Sequence, residues 1–391
     1  MTSPAFQALA AAVATACGVP EPRRPSGRID WSELVRLVDR HHVAGLVHRS
    51  GWLVDAAAPS EARAAVSERA RSQALRSLRA FALQRDVLAA LAGAGVDAAV
   101  LKGSALGAEA YGEPWARAAG DVDLLTPAGG VTRAVQALES AGLDWYGWSP
   151  PEDPDRPQAD RAAIARPGAH PLLRDVTLAR DGVQVEIHWR LFENSRLLPV
   201  DPAWLAEPRW VEAGGTRVPT LPLPVHWLYV TVHGARHLWS WLKWLADVPA
   251  LALRRPELVE RDALAATSAG YERPVATALL VAEAVFGRFL APEARAWAAG
   301  VGGTALLVRR SLAAVAAEHD RPRVVSPRAL PGELGTRLAL RRDARYRLDE
   351  LRLILLTAGR AHGVEDPGLA ELVEGPLRWV RRSARRLAGH T

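Results

Sequence analysis

The spacing of apolar and polar residues predicts helices over the first quarter of the chain. Residues 31–47 and 61–91 carry apolar side chains three and four positions apart, with Arg, Glu and Gln between them, as amphipathic helices do. Gly93 and Gly95 follow the second run and are expected to end that helix. We therefore expect residues 1–95 to form an N-terminal helical region.

The spacing changes at Val96, where short apolar runs alternate with helical ones. Strands are predicted at residues 96–101, 122–125, 173–179 and 183–192, and helices at residues 105–111 and 131–141. Asp181 and Gly182 are expected to form the turn between the last two strands. Residues 149–171, rich in Pro, Asp and Arg, are predicted to be a long loop. The pattern predicts a mixed α/β core over residues 96–200.

After Pro199 the pattern is helical again, and a strong helix is predicted at residues 225–253. Further helices are predicted at residues 257–269, 272–290, 292–298 and 304–318, and, past a linker candidate at 322–331, at residues 338–359 and 369–387. We expect residues 201–320 to form a helical domain and residues 321–391 to form a basic, Arg-rich helical segment.

The composition is that of an ordinary globular protein, with 49% hydrophobic and 24% charged residues. A single cysteine, Cys17, excludes a disulfide framework within the chain and fits a reducing compartment. The apolar run at residues 8–17 has no Lys or Arg before it, so we interpret it as a helix and not as a lipoprotein signal. No uncharged apolar run reaches the length of a bilayer span. We expect a cytoplasmic protein with no membrane partner.

The net charge of +6 is concentrated near the C-terminus. Residues 321–391 hold 15 Arg and 8 acidic residues, which leaves residues 1–320 close to neutral. The basic segment could meet nucleic acid, an acidic partner or a triphosphate, or it could be a solvated helix face. Only two of the 49 basic residues are lysines, Lys102 and Lys243, and both lie within the motifs described next.

Asp121 and Asp123 lie two positions apart in a predicted strand, with Val122 between them. Residues at this spacing project from the same face of a strand. Two adjacent carboxylates repel each other unless a cation or a proton compensates them. Mg²⁺ accepts a few carboxylates together with water and substrate phosphates. The pair is a candidate metal site, although surface strands also carry such pairs.

Lys102, Gly103 and Ser104 occupy the turn between a predicted strand and a predicted helix. Glycine lets the backbone approach a ligand closely, and the N–H groups at a helix start favour phosphate. Ser104 could cap this helix or donate its hydroxyl to a phosphate oxygen. The alternative is an ordinary turn with no ligand.

Alternation along residues 183–192 places Glu186, His188 and Arg190 on one face of a strand. If this strand neighbours the strand of Asp121, Glu186 becomes a third carboxylate for a second metal ion. In any other arrangement, Glu186 is an ordinary solvent-facing residue of a hairpin.

Together these residues resemble the motif set of the DNA polymerase beta-like nucleotidyltransferase superfamily. They are most similar to a bacterial group of uncharacterised nucleotidyltransferases with the signature lKG…Y…R…DiDlL…vEiHW. The matching segments are Val100-Leu101-Lys102-Gly103, Tyr111, Arg117, Asp121-Val122-Asp123-Leu124-Leu125 and Val185-Glu186-Ile187-His188-Trp189. The resemblance extends more loosely to residues 41–43 and 241–247. It departs from many superfamily members in the longer gap between Ser104 and Asp121, and its third carboxylate lies far downstream.

The resemblance implies an α+β fold with a nucleotidyltransferase-type mixed sheet core, flanked by helical regions, of which residues 201–320 close over the nucleotide. It implies transfer of an NMP from an NTP, with ATP as the first candidate, to an acceptor hydroxyl and release of pyrophosphate. Asp121, Asp123 and Glu186 would hold Mg²⁺ or Mn²⁺, and Glu186 would help to deprotonate the acceptor. The acceptor would be a small molecule or a peptide or protein side chain.

Further residues are candidates for binding the nucleotide or supporting the acceptor. The expected nucleotide ligands are Lys102, Gly103, Ser104, Arg117 and Lys243, and the expected acceptor or supporting residues are His188 and Asp247. Arg117 could instead form a structural salt bridge, and Lys243 could pair with Asp247 on a wet helix surface.

Two other classes of function fit the same motifs. A non-catalytic module could bind a nucleotide or recruit a partner on this fold, although three retained carboxylates favour catalysis. An RNA-directed transferase could use residues 321–391 as an electrostatic footprint, which makes nucleic acid a possible but less favoured partner.

Overall fold

The computed structural model describes residues 2–147, 173–317 and 330–360. Along the chain, helices precede and follow the strands of a central sheet, as the apolar spacing predicts. In chain order the helices are α1 Pro4–Ala16, α2 Trp31–His41, α3 Ala44–Arg49, α4 Trp52–Asp55, α5 Ser60–Gly93, α6 Gly103–Tyr111, α7 Val131–Ser140, α8 Ala203–Ala206, α9 Leu223–Arg236, α10 Leu242–Arg254, α11 Arg261–Thr267, α12 Glu272–Phe286, α13 Pro292–Gly300, α14 Ala305–Val315, α15 Leu330–Ala339 and α16 Ala344–Arg360. Within these three ranges, no helix combines the length and the apolar character that crossing a bilayer requires.

Seven strands form one mixed sheet, and two more form a separate short pair. The strands are β1 Glu21–Pro22, β2 Ala99–Val100, β3 Asp121–Leu125, β4 Asp144–Gly147, β5 Asp175–Arg180, β6 Val183–His188, β7 Arg209–Ala213, β8 Thr216–Thr220 and β9 Gly287–Arg288. The large sheet has the order β4-β5-β6-β3-β2-β8-β7, while β1 pairs with β9. The expected α+β architecture with a mixed sheet is confirmed.

The two faces of this sheet differ in polarity around its centre. Val122 on β3 and Val185 on β6 are buried in a core that also contains residues of α5 and α7. Because side chains alternate between faces along a strand, Asp123 and Glu186 project from the opposite face. The apolar face packs the two strands into the core, and the opposite face carries the carboxylates that are candidates for the functional site.

A second hydrophobic core joins the N-terminal helices to the region after the sheet. Leu9 of α1 and Leu34 of α2 share this core with Trp227 of α9 and Leu279 of α12. Apolar packing is therefore continuous across residues that the sequence assigns to separate regions. The boundaries at residues 1–95, 96–200, 201–320 and 321–391 stay predictions.

The single helix predicted at residues 225–253 is wrong, because the chain breaks between α9 and α10. Leu238 and Trp239 adopt left-handed backbone conformations, with φ of 53° and 51°. Both side chains are nevertheless buried, and the Trp239 N–H donates to the carbonyl of Gly234 at 2.8 Å. Apolar spacing counts both residues as helical positions, so it does not reveal the break.

The expectation that the chain is helical throughout after Pro199 is also wrong. Strands β7 and β8 form an antiparallel hairpin and extend the sheet at one edge. Gly214 and Gly215 form its turn, with φ of 56° and 75°. Two consecutive glycines with positive φ are typical of a tight hairpin turn.

Other predicted elements differ in their limits. The helix predicted at residues 31–47 is split at His42, which has a φ of 54°, and the strand predicted at 96–101 pairs only at Ala99–Val100. The segment predicted as one helix at 338–359 contains the end of α15 and most of α16. The predicted loop at 149–171, most of the linker at 322–331 and the helix at 369–387 lie outside the described residues.

Candidate metal and nucleotide site

Two neighbouring parallel strands carry the acidic residues singled out by the sequence. On β3 and β6, Asp121 lies opposite Gln184, and Asp123 lies opposite Glu186. Residues in register on adjacent strands project from the same face of a sheet. Asp121, Asp123 and Glu186 therefore share one face, and the condition that β3 neighbours β6 is met.

His188 lies at the centre of a buried group of acidic side chains. Its Nε2 lies 3.1 Å from an oxygen of Glu186 and 3.4 Å from an oxygen of Asp123. Its Nδ1 lies 3.4 Å from an oxygen of Asp175. His188, Asp123 and Asp175 are all buried, whereas Glu186 is partly exposed. The imidazole therefore bridges carboxylates from β3, β5 and β6.

Asp175 was not among the sequence candidates, although the hairpin contained a signal for it. A two-residue turn at Asp181 and Gly182 fixes the register of β5 against β6. In that register Asp175 lies opposite His188. Counting outward from the predicted turn would have placed the two side chains together.

The charge of Lys102 stabilises the ionised form of Asp123. The Lys102 Nζ lies 3.3 Å from an oxygen of Asp123. Burial by itself would raise the pKa of Asp123, but Lys102 and His188 outweigh burial and lower it below its usual range. In the same contact, the negative charge of Asp123 outweighs burial and raises the pKa of Lys102. Both groups are charged at neutral pH.

The other ionisable groups at this face shift in different directions. Burial disfavours protonation of His188, but Asp123 and Glu186 outweigh it and raise the pKa of His188 to about 9. Burial opposes ionisation of Glu186, and contact with His188 lowers its pKa on balance. Desolvation in the concave surface and the charge of Asp123 raise the pKa of Asp121. At Asp121 the charges of Lys243 and Lys102 therefore do not fully offset burial and the charge of Asp123.

Donor atoms that suit a divalent cation converge within this group. One ligand atom each from Asp123, Glu186 and His188 lie within 4.8 Å of one another, whereas Asp121 is outside this set among the described residues. Both ring nitrogens of His188 are buried, and neither forms a hydrogen bond of good geometry with any described residue. Two carboxylates fit Mg²⁺, and the added imidazole is a ligand that Mn²⁺ also accepts. The expected metal set of Asp121, Asp123 and Glu186 stays a prediction.

The Lys102–Ser104 turn begins α6, as the sequence predicts. Gly103 has a φ of 54°, a conformation that glycine adopts without strain. No side chain of the described residues caps the N-terminus of α6, which leaves its first backbone N–H groups without a side-chain acceptor there. Ser104 is buried, and its hydroxyl donates to the side-chain carbonyl of Gln84 at 2.8 Å. The backbone of the turn is available for phosphate, while the Ser104 hydroxyl is engaged with α5.

Arg117 and Asp247 form a buried ion pair. The Arg117 Nε donates to the two carboxylate oxygens of Asp247 at 3.0 and 2.9 Å, and the Tyr111 hydroxyl donates to the same carboxylate at 2.9 Å. This is the structural salt bridge that the sequence left open for Arg117. The alternative of a Lys243–Asp247 pair on a wet surface is wrong, because Asp247 is only 1% exposed.

Lys243 approaches the site from the start of α10. Its Nζ lies 5.0 Å from the centre of the Trp241 ring, a cation–π distance. It also lines an open groove together with Asp121. Burial and the charge of Arg117 lower the pKa of Lys243 to about 8. Lys243 thus lies near the exposed Asp121, while Lys102 contacts the buried Asp123.

Comparison with known protein families identifies a match that covers most of the chain. The sequence model of a family described as uncharacterised nucleotidyltransferase matches residues 27–287. The matched range contains every residue of the site described above. No curated protein and no solved structure matches the chain.

Proposed function

The chain belongs to the uncharacterised nucleotidyltransferase family, and we propose that it is an Mg²⁺-dependent enzyme that transfers an NMP from an NTP to an acceptor hydroxyl. ATP is the first candidate donor, and the acceptor is a small molecule or a peptide or protein side chain. The observation that supports this proposal best is the parallel register that sets Asp123 beside Glu186 on one face of the sheet.

In this proposal the acidic residues hold the metal. Asp121 and Asp123 bind it from β3, and Glu186 binds it from β6. When bound, Mg²⁺ would neutralise charge on the phosphates and favour ionisation of the acceptor hydroxyl. The contact between Lys102 and Asp123 keeps that carboxylate ionised and ready for a cation.

The chemical step is a single displacement at phosphorus. The acceptor oxygen forms a bond to the α-phosphorus, and the bond from that phosphorus to the bridging oxygen of pyrophosphate breaks. The acceptor proton passes to Glu186, whose carboxylate is ionised because contact with His188 lowers its pKa. Backbone N–H groups at the start of α6, beside Gly103, and the ammonium of Lys243 bind the phosphates.

The direct test is a transfer assay with the full-length chain. The protein is incubated with each of the four NTPs, labelled at the α-phosphate, together with Mg²⁺ and pools of hydroxyl-bearing acceptors. Metal-dependent release of pyrophosphate and appearance of a labelled acceptor are expected. Nucleotide binding without pyrophosphate release in any pool would instead support the non-catalytic module.

We predict that Asp123→Asn lowers nucleotide transfer at least roughly 100-fold, because it removes a ligand charge worth several kcal/mol in the transition state. Initial rates of pyrophosphate release measure the effect, and circular dichroism checks the fold. Asp181→Asn is the matched control, since Asp181 is exposed at the hairpin turn and asparagine tolerates its φ of 53°. Equal rates in Asp123→Asn and the unaltered chain would overturn the assignment.

The RNA-directed alternative has its own discriminating measurement. Binding of RNA through residues 321–391 would fall steeply with salt concentration and would disappear when that segment is removed. RNA binding that does not change with salt concentration supports a small-molecule or protein acceptor.

A further inference from the structure

An open groove adjoins the candidate metal site at its Asp121 end. Its volume is ≈ 850 Å³. The walls come from α5, from the start of α10, and from the strand ends that carry Asp121 and Gln184. Arg76 lines it from α5, and Lys243 lines it from α10. N-terminal helices, the sheet and the helices after the sheet thus meet around one solvent-open space.

Three of the charged residues in the groove walls already have a partner. Arg69 donates to Asp39 at 2.7 Å. Glu68 pairs with Arg71 at 3.5 Å. Asp121 belongs to the metal-binding face. Asp39, Glu68 and Arg69 therefore contribute little uncompensated charge, and Asp121 and two cations are the charged groove residues without an ion pair among the described residues.

Two cations in the same walls form no ion pair with a carboxylate of the described residues. Arg76 is exposed, and within residues 2–147, 173–317 and 330–360 it forms no hydrogen bond or ion pair. Lys243 is partly buried over the Trp241 ring and has no carboxylate within salt-bridge distance in the same ranges. Burial of this ammonium costs free energy, and the charges of Asp121 and Asp247 offset only part of that cost. An anion that enters the groove recovers part of that cost.

Neutral donors add to the anion-binding character of the groove. Gln184, which carries an amide side chain, lies opposite Asp121 in the β3–β6 register and lines the groove. Ser72 of α5 lines it as well, one helical turn before Arg76. Phosphate oxygens accept hydrogen bonds from guanidinium, ammonium, amide and hydroxyl groups alike.

We propose that this groove is a phosphate-binding site in which Arg76 and Lys243 hold a phosphate group between α5 and α10. The inference rests on the proposed function for the source of that phosphate, because Asp121 joins the groove to the metal-binding face. The phosphate belongs either to the NTP, as the part that leaves as pyrophosphate, or to an acceptor that is itself a phosphate monoester. Arg76 extends the nucleotide or acceptor site onto the N-terminal helices, beyond the residues of the sheet core.

Calorimetry on the full chain separates the two sources. The ligands are magnesium pyrophosphate, a non-hydrolysable ATP analogue with Mg²⁺, and a sugar phosphate monoester. Arg76→Gln and Lys243→Gln are each expected to weaken the groove ligand roughly 10-fold, since each removes a charge-assisted hydrogen bond. Loss confined to pyrophosphate and the ATP analogue identifies the leaving diphosphate, and loss confined to the monoester identifies a phosphorylated acceptor.

Matched variants show whether a loss of affinity comes from the groove contact or from any change of charge on the protein. Arg79→Gln removes an exposed arginine from the same helix outside the groove and should leave all affinities unchanged. Arg76→Lys and Lys243→Arg keep the charge and should retain most of the affinity. Wild-type affinity for every phosphate ligand in both Gln variants overturns the proposal, as does the absence of phosphate binding by the unaltered chain.

The lysine content provides a second readout that does not depend on turnover. Lys102 and Lys243 are the only lysines, so reductive methylation with ¹³C-formaldehyde yields two side-chain signals besides that of the N-terminus. The signal lost in Lys243→Arg should shift when the groove ligand is added, and this shift should be lost in Arg76→Gln. An unmoved signal at saturating ligand contradicts the groove assignment.

The two proposals fail in distinguishable ways. A protein that transfers nucleotide but binds phosphate equally in all groove variants retains nucleotidyl transfer at the metal-binding face and loses this site, together with the phosphate contact of Lys243. A protein that binds phosphate through Arg76 and Lys243 but releases no pyrophosphate retains the site and loses the proposed function.

Discussion

At the scale of single residues, the pair between Arg117 and Asp247 secures the segment that leads into β3. Arg117 is 5% exposed and Asp247 is 1% exposed, so both charges are removed from water. The close contact between the two charges compensates for their removal from water. If one partner is lost, the other charge stays buried without compensation, which destabilises the fold. Because Asp121 follows shortly after Arg117, the pair also positions the first carboxylate of the site.

We predict that Asp247→Asn destabilises the protein by about 3 kcal/mol, because the Arg117 guanidinium stays buried without a counter-charge. Urea denaturation followed by circular dichroism measures the loss. Asp349→Asn serves as the control, because the pair of Asp349 with Arg196 is at the surface and should contribute less than about 1 kcal/mol. Losses of similar size in the two variants would show that Asp247 is not a buried structural partner.

At the scale of elements, the break between α9 and α10 determines how the helices approach the site. The ring of Trp239 folds back against Gly234, where a Cβ atom would lie 2.1 Å from a ring carbon. Trp239 is fully buried, so the ring has no room to withdraw. The turn then starts α10 in a new direction, with Lys243 in its first turn facing the groove.

We predict that Gly234→Ala destabilises the protein by about 2–3 kcal/mol, since the added methyl group overpacks the contact with Trp239. Gly93→Ala is the matched helical control, because a Cβ there meets nothing within 4 Å. That control should be neutral or up to about 1 kcal/mol stabilising, as alanine loses less backbone entropy on folding. Thermal unfolding of both variants decides between these outcomes, and an unaffected Gly234→Ala protein would contradict the packing described here.

At the scale of the whole molecule, several imidazoles are held neutral inside the fold. Burial and the neighbouring Arg40 lower the pKa of His41 to about 2. Burial and Arg236 lower the pKa of His237 to about 3. Burial lowers the pKa of His233 well below its usual value. The folded chain therefore resists protonation at positions where the unfolded chain accepts a proton.

We predict that stability falls as the pH drops below about 6.5, where unfolded histidines protonate and these folded ones do not. Above the pKa of histidine in the unfolded chain, these residues do not lower the free energy of unfolding. As the pH falls below that pKa, each of them lowers it, by roughly 1 kcal/mol between about pH 7 and pH 5.5. Chemical denaturation across this range measures how the free energy of unfolding changes with pH. In His41→Gln this change should be smaller by the contribution of one histidine. A pH-independent stability over this interval would contradict neutral burial.

Local features of the site were predictable because they depend on near neighbours in the chain. Alternation along a strand places Asp121 and Asp123 on one face and aligns Glu186 with His188. The turn at Asp181 and Gly182 sets the β5–β6 register in the same way. These relations need only strand geometry and a turn type, both of which a few consecutive residues determine.

What the sequence determined by itself is therefore the set of chemical groups, their faces within each strand, and the helical character of the flanks. The tertiary structure decided that β3 lies parallel to β6, that Ser104 bonds to Gln84, and that the predicted 225–253 helix breaks at Trp239. These outcomes depend on which surfaces pack together. The residues that share the packing free energy are far apart in the sequence, so the local spacing of apolar residues does not identify them. The groove between Arg76 and Lys243 is of this second kind, since its walls meet only once the N-terminal helices dock on the sheet.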